Sequence, residues 1–416
     1  MTLATTIRTA LLAGAALTAM AASATAAELT VMWTVNSDKE EQVLRGLLAE
    51  YTAQHPDTTF KLQIVPYDGY DQKLAQGAAS GTAPDLAKTT SMRPVVRPFL
   101  TDLAPAFGKD YLDQFVKAWA TGAQLGDQII AAPLDVTATG IFLNADAFKK
   151  AGVAIPDAAK GWTWDEFLAA IKTVSEKAGV RYPLVWDVSA SRWITYLYHN
   201  GQHIFTEAPP YKVVLDKARG AQILDDFVKI TETHMPPGLW KGSSAENPKQ
   251  LFLHGQAVAW MSGSWQISSL VSDAGFDWQA GPTPHGEVAS SVVGGDYIVA
   301  FNTGEHVDEA LEVLRWFSTP EVQAKYAAPL MMIPASLKTG PVDYGDAKAS
   351  AALAALQKEL ADSPLYAGTD QGNPAMQYVW DPIKQAVIQR VAGQITSAQA
   401  MDLIAKAAED SLKAEQ

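Results

Sequence analysis

Cysteine is absent from the 416 residues of the sequence. This absence excludes disulfide bonds, metal sites built on cysteine and a thiol nucleophile. It also excludes lipid attachment through an N-terminal cysteine, so we expect a protein that is not lipid-anchored.

Positive charge is also scarce. Lysine and arginine number 32 against 45 acidic residues, and the formal net charge is -13. Nucleic-acid binding requires a basic surface, so we expect no nucleic-acid partner.

Several sequence signatures of chemistry are missing. The seven histidines form no HExxH pair and no zinc-like spacing, and neither a GxSxG elbow nor a phosphate-binding loop occurs. The sequence therefore predicts no metal site, no cofactor and no catalytic residue.

The chain starts with the pattern of an export signal. Arg8 precedes an Ala/Leu-rich apolar segment at 10–22, and small residues follow at 23–27. This segment is shorter than the ~20 residues that span a bilayer, and no later run is apolar enough to do so. We expect a signal peptide at 1–27, cleaved after Ala27, and a protein free in the periplasm.

The remaining chain is long enough for two domains, and 48% of all residues are hydrophobic. Ser37 with Glu40 forms a capping-box signature that opens the first helix. Alternating strand and helix patterns favour a mostly parallel sheet covered by helices. The first predicted elements are a strand at 28–34, a helix to about 54, a strand at 60–65, a helix at 68–79 and a strand at 85–88.

Three later segments bear on a ligand site. Residues 134–139, polar and small between two apolar runs, are typical of a crossover between lobes. Residues 189–193 are predicted as a polar, aromatic-bearing loop before a helix. In residues 251–269, a strand at 257–261 is predicted to break at Ser262–Ser264, after which Trp265 opens a helix. A strand that hands over to a helix N-terminus is a common ligand-binding position.

Taken together, the segments resemble the maltose-binding-protein-like extracellular solute-binding proteins of carbohydrate ABC importers, over essentially the whole chain after the signal. The segments that carry the resemblance are TVMWTVNSDKEEQVLRGLLAEYTAQHP, GTAPDL, PLDVTATGIFLNADAFKKAGV, LFLHGQAVAWMSGSW, VVGGDYIVAFN, ALEVLRWFSTPEVQAKY and VAGQITSAQAMDLIAKA. No single motif is decisive; their order is what is specific.

The resemblance implies a two-lobed α/β fold, each lobe a mostly parallel sheet flanked by helices, joined by a hinge of several segments. We expect residues 28–136 and 295–329 in the N-terminal lobe and 137–294 and 330–416 in the C-terminal lobe. It further implies a monomer that encloses a carbohydrate between the lobes and delivers it to the membrane permease subunits of an ABC importer.

The resemblance also suggests ligand contacts in the first lobe. Asn36, Asp38 and Lys39 match the family's Asn-x-Asp-Lys run, although Ser37 and the charges also suit plain helix capping. In the loop with Ser91, only Arg93 matches the maltodextrin pattern, because Met92 replaces an acid and Thr89 a tryptophan. This departure favours a smaller ligand or one with an anionic group; alternatively Arg93 forms a surface ion pair.

Other candidates combine polar groups for hydroxyls with aromatic faces for the C–H side of a sugar. Each has a structural alternative: hinge hydrogen bonds for the crossover residues, a tight turn for the glycines and core packing for the tryptophans. The candidates are Asp135 and Thr137 on the crossover, Ser189, Arg192 and Trp193 in the second lobe's first loop, Gly263 and Trp265, Gly295 and Asp296 after Gly294, and Trp380.

Two alternatives stay open. The same fold could bind a polyamine, an amino acid or a phosphate ester. A secreted glycoside hydrolase would need two carboxylates about 5–10 Å apart, one with a raised pKa.

Overall fold

The structure is a computed structural model that describes residues 26–35, 37–66, 69–90, 92–157, 160–242 and 244–415. The predicted signal peptide except its last two residues, and the predicted contacts Asn36 and Ser91, lie outside these ranges. Within the ranges, no helix is both long and apolar enough to cross a membrane.

Eleven strands occur in the described residues. In chain order they are β1 (Ala27–Trp33), β2 (Thr58–Ile64), β3 (Leu86–Thr89), β4 (Gln124–Leu125), β5 (Gln128–Ile129), β6 (Ala132–Asn144), β7 (Tyr182–Trp186), β8 (Ala257–Gly263), β9 (Trp278–Gly281), β10 (Val293–Ala300) and β11 (Ile333–Pro334).

Sixteen α-helices occur in the same ranges. They are α1 (Asp38–Gln54), α2 (Tyr70–Ser80), α3 (Ala104–Phe107), α4 (Lys117–Ala120), α5 (Ala145–Ala151), α6 (Trp164–Ala178), α7 (Ala190–His199), α8 (Lys217–His234), α9 (Pro248–Leu253), α10 (Ile267–Asp273), α11 (Val307–Phe317), α12 (Pro320–Leu330), α13 (Ala347–Asp362), α14 (Leu365–Gly372), α15 (Trp380–Val391) and α16 (Ser397–Ala414).

The first sheet confirms the predicted β-α-β-α-β order. Strand β1 pairs in parallel with β2 on one side and with β3 on the other, and β10 continues the sheet antiparallel to β3. Parallel strands place their carboxyl ends at one edge, which here carries the segments after β1, β2 and β3.

Strand β6 joins the two halves of the molecule. Its first half pairs with β10, from Ala132 to Ala138. Its second half, from Thr139 onward, pairs with β8 and β9. The predicted crossover is therefore one continuous 13-residue strand shared by both sheets, in the order β2-β1-β3-β10-β6-β8-β7.

Two local predictions about the second sheet were wrong. Residues 190–193 are helical, because the Ser189 side chain accepts a hydrogen bond from the Arg192 N–H and so caps α7. Strand β8 does not break at Ser262 but continues through Gly263, which pairs with Thr139. Trp265 then lies in a 3₁₀ turn before α10, not at the start of an α-helix.

The hydrophobic core forms two clusters, one around the first sheet and one around α6, α7, α15 and α16. Strand β11 pairs with the β6 residues Val136 and Asp135, so it belongs to the first sheet. Ser336 also bridges to Phe115 in the first lobe. Residues 333–336, which follow the predicted boundary at 329, therefore still pair with the first sheet and its surroundings.

The C-terminal part of the second lobe also contacts the first. Gly368 of α14 packs so closely on Ala118 of α4 that a Cβ at this position would overlap the alanine. Beyond α16, the Glu415 carboxylate lies 2.5 Å from Arg97 of the first lobe.

Candidate functional site

Strand β6 brings six of the predicted site residues together where it passes from one sheet to the other. Asp135, Thr137 and Thr139 share one side of the strand, and of the three only Thr137 retains partial exposure. Thr137 lies opposite Gly294 of β10, and Thr139 lies opposite Gly263 of β8. We place the candidate cleft between the lobes at this junction of the two sheets, with Thr137 as its floor.

Trp265 lies directly beside this floor. A Cβ on Gly263 would overlap the indole ring and would stand 2.6 Å from the carbonyl oxygen of Ala138. Glycine is therefore required for the ring to lie against the strand. The Ser264 hydroxyl accepts from the Ala138 N–H at 3.2 Å, which fixes the turn that carries Trp265.

Arg192 covers a face of Trp265. Its guanidinium carbon lies 4.2 Å from the centroid of the indole ring, which is cation–π geometry. The helix α7 that carries Arg192 is held against β6 one turn later, where the Thr195 hydroxyl lies 3.3 Å from that of Thr139. The predicted stacking surface of Trp265 is thus partly occupied by a positive charge.

Sequence reasoning did not single out Asp187 in this wall of the cleft. It follows β7 directly and is half-buried. Its carboxylate accepts from Trp260 Nε1 at 2.8 Å and from the Ser262 hydroxyl at 2.5 Å. Its position after a strand was an available signal, since polar residues at the carboxyl ends of parallel strands are common ligand contacts.

A buried charge cluster lies beneath the first-lobe side of the cleft. Lys88 Nζ lies 2.6 Å from the Glu40 carboxylate and 3.2 Å from that of Asp296. Glu40 also accepts from the Tyr326 hydroxyl at 2.7 Å. The predicted capping box is therefore only half formed: Ser37 caps α1, but the Glu40 side chain is buried against Lys88.

Asp135 completes the cluster. Its Oδ1 accepts from the Asp296 N–H at 3.3 Å, and its Oδ2 is buried with no hydrogen-bond partner among the described residues. Burial, followed by the charge of Asp296, raises the pKa of Asp135 well above its ordinary value. For Lys88, burial alone would lower the pKa, but the charges of Asp296 and Glu40 outweigh it and raise the pKa. The cluster therefore holds Lys88 between the carboxylates of Glu40 and Asp296, with Asp135 beside Asp296 and Asp296 as its most exposed member.

Gly295 makes the close approach of β10 to β6 possible. Its φ is +146°, a backbone conformation that favours glycine. A Cβ here would overlap the backbone of Asp135. The close approach that Gly295 permits is therefore one between two strands.

Several predicted contacts are buried or lie away from the floor. Asp135, on β6, is 1% exposed. Trp193 is 0% exposed and lies in the core of the second lobe. Arg93 forms an exposed ion pair with Asp71 at 2.8 Å. Asp38 is exposed in the first turn of α1, and Trp380 is partly buried against the second core cluster. In this conformation the structural alternatives therefore describe Asp135, Trp193 and Arg93 better than ligand contact does.

Comparison with known proteins agrees with this architecture. The model of the bacterial extracellular solute-binding protein family matches residues 36–324. The chain is 26% identical over 316 residues to the lactose-binding protein of Rhizobium radiobacter, covering 72% of this chain and 73% of that protein.

Two solved structures share the fold. A substrate-binding protein of Listeria monocytogenes in complex with cycloalternan superposes with a TM-score of 0.78 at 20% identity, covering 93% of this chain and 98% of that one. Maltose-bound MalE3 of T. maritima gives a TM-score of 0.76 at 22% identity, covering 92% and 99%. The fold is thus the two-lobed α/β fold of periplasmic binding proteins, and this chain belongs to the bacterial extracellular solute-binding protein family.

Proposed function

We propose that the protein captures a sugar or sugar derivative between its lobes and delivers it to an ABC importer. One observation carries the proposal: β6 brings Thr137 together with Trp265 of the second lobe and Asp296 of the first. A hydroxyl, an aromatic ring and a carboxylate are the groups that recognise a sugar's hydroxyls and C–H faces. The named ligands of the relatives, lactose and maltose among them, support the same class.

The burial and the hydrogen bonds of the carboxylates near the candidate site support binding without catalysis. A glycoside hydrolase needs two accessible carboxylates that flank the scissile bond. Here Asp135 is buried, Asp296 is paired with Lys88, and Asp187 is held by Trp260 and Ser262. We therefore infer that sugars leave the protein unchanged.

A thermal-shift screen tests the ligand class. A ligand that binds only the folded state raises the melting temperature by mass action. We expect at least one mono- or disaccharide, or an anionic derivative, to raise it. A shift with amino acids or polyamines and with no sugar would refute the carbohydrate assignment, and chromatography showing cleaved sugar would refute the absence of catalysis.

The same proposal includes export to the periplasm without a lipid anchor. It also includes action as a monomer that meets the permease subunits of the importer. Ala27 lies in β1, where its N–H donates to the Asp57 carbonyl at 2.8 Å. Cleavage after Ala26, within the small-residue pattern Ala24-Thr25-Ala26, would leave this strand intact. The mass of the mature protein from a periplasmic extract distinguishes this site from cleavage after Ala27.

A further inference from the structure

Arg192 differs from the other arginines that the structure describes. Each of these other seven arginines has a carboxylate oxygen within 4.0 Å. Arg192 has none. Its Nη1 donates to the Ser191 hydroxyl at 3.2 Å, and its buried Nε has no hydrogen-bond partner among the described residues. An arginine that lacks an acid, in a cleft, is a candidate for binding an anion.

Asp187 is not the missing ion-pair partner of Arg192. It is the acid whose charge acts on Arg192, but both of its oxygens already accept hydrogen bonds, from Trp260 and Ser262. Burial lowers the pKa of Arg192 to about 10, against the opposing effect of Asp187. Arg192 therefore stays positively charged at neutral pH, with donors left for another acceptor.

Trp265 holds the guanidinium in place. The indole covers one face of the planar group at 4.2 Å, so the N–H donors around its edge remain for in-plane partners. Planar guanidinium edges match carboxylates and phosphates with two parallel hydrogen bonds. Neutral hydroxyls accept such bonds less strongly.

The first-lobe side of the cleft has an excess of negative charge. Glu40 and Asp296 share the single cation of Lys88, and this excess of acid disfavours an anion there. The same carboxylate of Asp296 suits hydroxyl donors. The two walls therefore favour a ligand with hydroxyls at one end and a negative group at the other.

We propose that Arg192 binds an anionic group of the ligand, a carboxylate or a phosphate ester, so that the solute is an acidic sugar derivative. The inference rests on the proposed function and narrows its ligand class. Arg192 is then the residue that determines specificity, and Trp265 positions it. The Trp265 ring, which the sequence analysis assigned to sugar stacking, thus also packs against the guanidinium of Arg192.

Isothermal titration calorimetry with paired probes tests the inference. The probes are hexuronates and sugar or glycerol phosphates, each with its neutral counterpart. We expect the wild type to bind at least one anionic probe about 10- to 100-fold more tightly than the neutral partner, the usual range for a hydrogen bond to a charged group. Arg192→Gln should remove this preference and leave the neutral affinity within about threefold.

Two further variants sharpen the result. Arg192→Lys keeps the charge without the planar fork, so an intermediate preference is expected. Arg45→Gln, in an exposed ion pair with Glu41 on α1 of the first lobe, is the matched control and should behave as the wild type. Melting curves establish that each variant is folded.

The outcomes separate the two proposals. Neutral sugars bound as tightly as their acidic counterparts, or an equal loss of both in Arg192→Gln, would overturn the role of Arg192 and leave sugar binding intact. Failure of every sugar and sugar derivative, with binding of another solute class, would overturn the proposed function together with this inference.

Discussion

Lys88 Nζ lies 2.6 Å from the Glu40 carboxylate, and both side chains are almost fully buried. The pair joins β3 to α1 at the edge of the first sheet, next to the cleft. Asp296 adds a second carboxylate from β10. Three distant parts of the chain are thus held together by one lysine.

Lys88→Met should be strongly destabilising. Two buried carboxylates would lose their cation, which typically costs about 3–5 kcal/mol. Urea unfolding of wild type and variant measures this loss. Lys61→Met, at an exposed position on β2, is the control, and equal effects of both substitutions would argue against the cluster.

Trp265→Ala should weaken binding of the ligand found by thermal shift. The variant loses the aromatic contact and the support of Arg192, so we expect a loss of about 1–3 kcal/mol in binding free energy. Calorimetry provides the measurement, with Trp265→Phe retaining part of the affinity. An unchanged affinity in Trp265→Ala would show that Trp265 contributes to packing and not to ligand binding.

Gly295→Ala should destabilise the hinge. The backbone has a positive φ, and the new methyl group would overlap the backbone of Asp135, so a loss of about 2 kcal/mol or more is expected. Gly275→Ala is the control, because nothing lies within 4 Å of a Cβ there. Equal melting temperatures for the two variants would contradict the close approach of β10 and β6.

The raised pKa of Glu359 predicts that the free energy of unfolding depends on pH. Burial raises its pKa from 4.5 to about 7, against the opposing hydrogen bonds from Thr283. Between these values the folded state binds more protons than the unfolded state, so this carboxyl makes the free energy of unfolding fall as the pH rises.

Urea unfolding at pH 5 and pH 7.5 checks the effect. Wild type should lose stability relative to Glu359→Gln as the pH rises, because the amide does not titrate. The difference between the two proteins should therefore change with pH. A pH-independent difference would refute the raised pKa.

Local patterns were sufficient to predict much of the fold. A capping residue located the start of α1, and polar residues between two apolar runs identified the crossover at 134–139. The error at 189–193 arose because Arg192 and Trp193 were interpreted as loop residues. Ser189 was the signal for the cap that starts α7.

For the candidate site, the sequence indicated single residues better than the contacts between them. Strand ends and glycines indicated Thr137, Gly263 and Asp296. Pairing between residues far apart in the chain was not predictable: Lys88 meets Glu40 from 48 residues away, and neither residue type indicates the other. The contact of Arg192 with Trp265 depends likewise on how α7 packs on β6.

A crystal structure of the protein with the sugar or sugar derivative that gives the largest thermal shift tests the central claim most directly. The account predicts ligand density between the lobes, in contact with Thr137, Trp265 and Asp296. Density elsewhere, for example in the narrow cavity between Trp119 and residues 371–377, would contradict the proposed site.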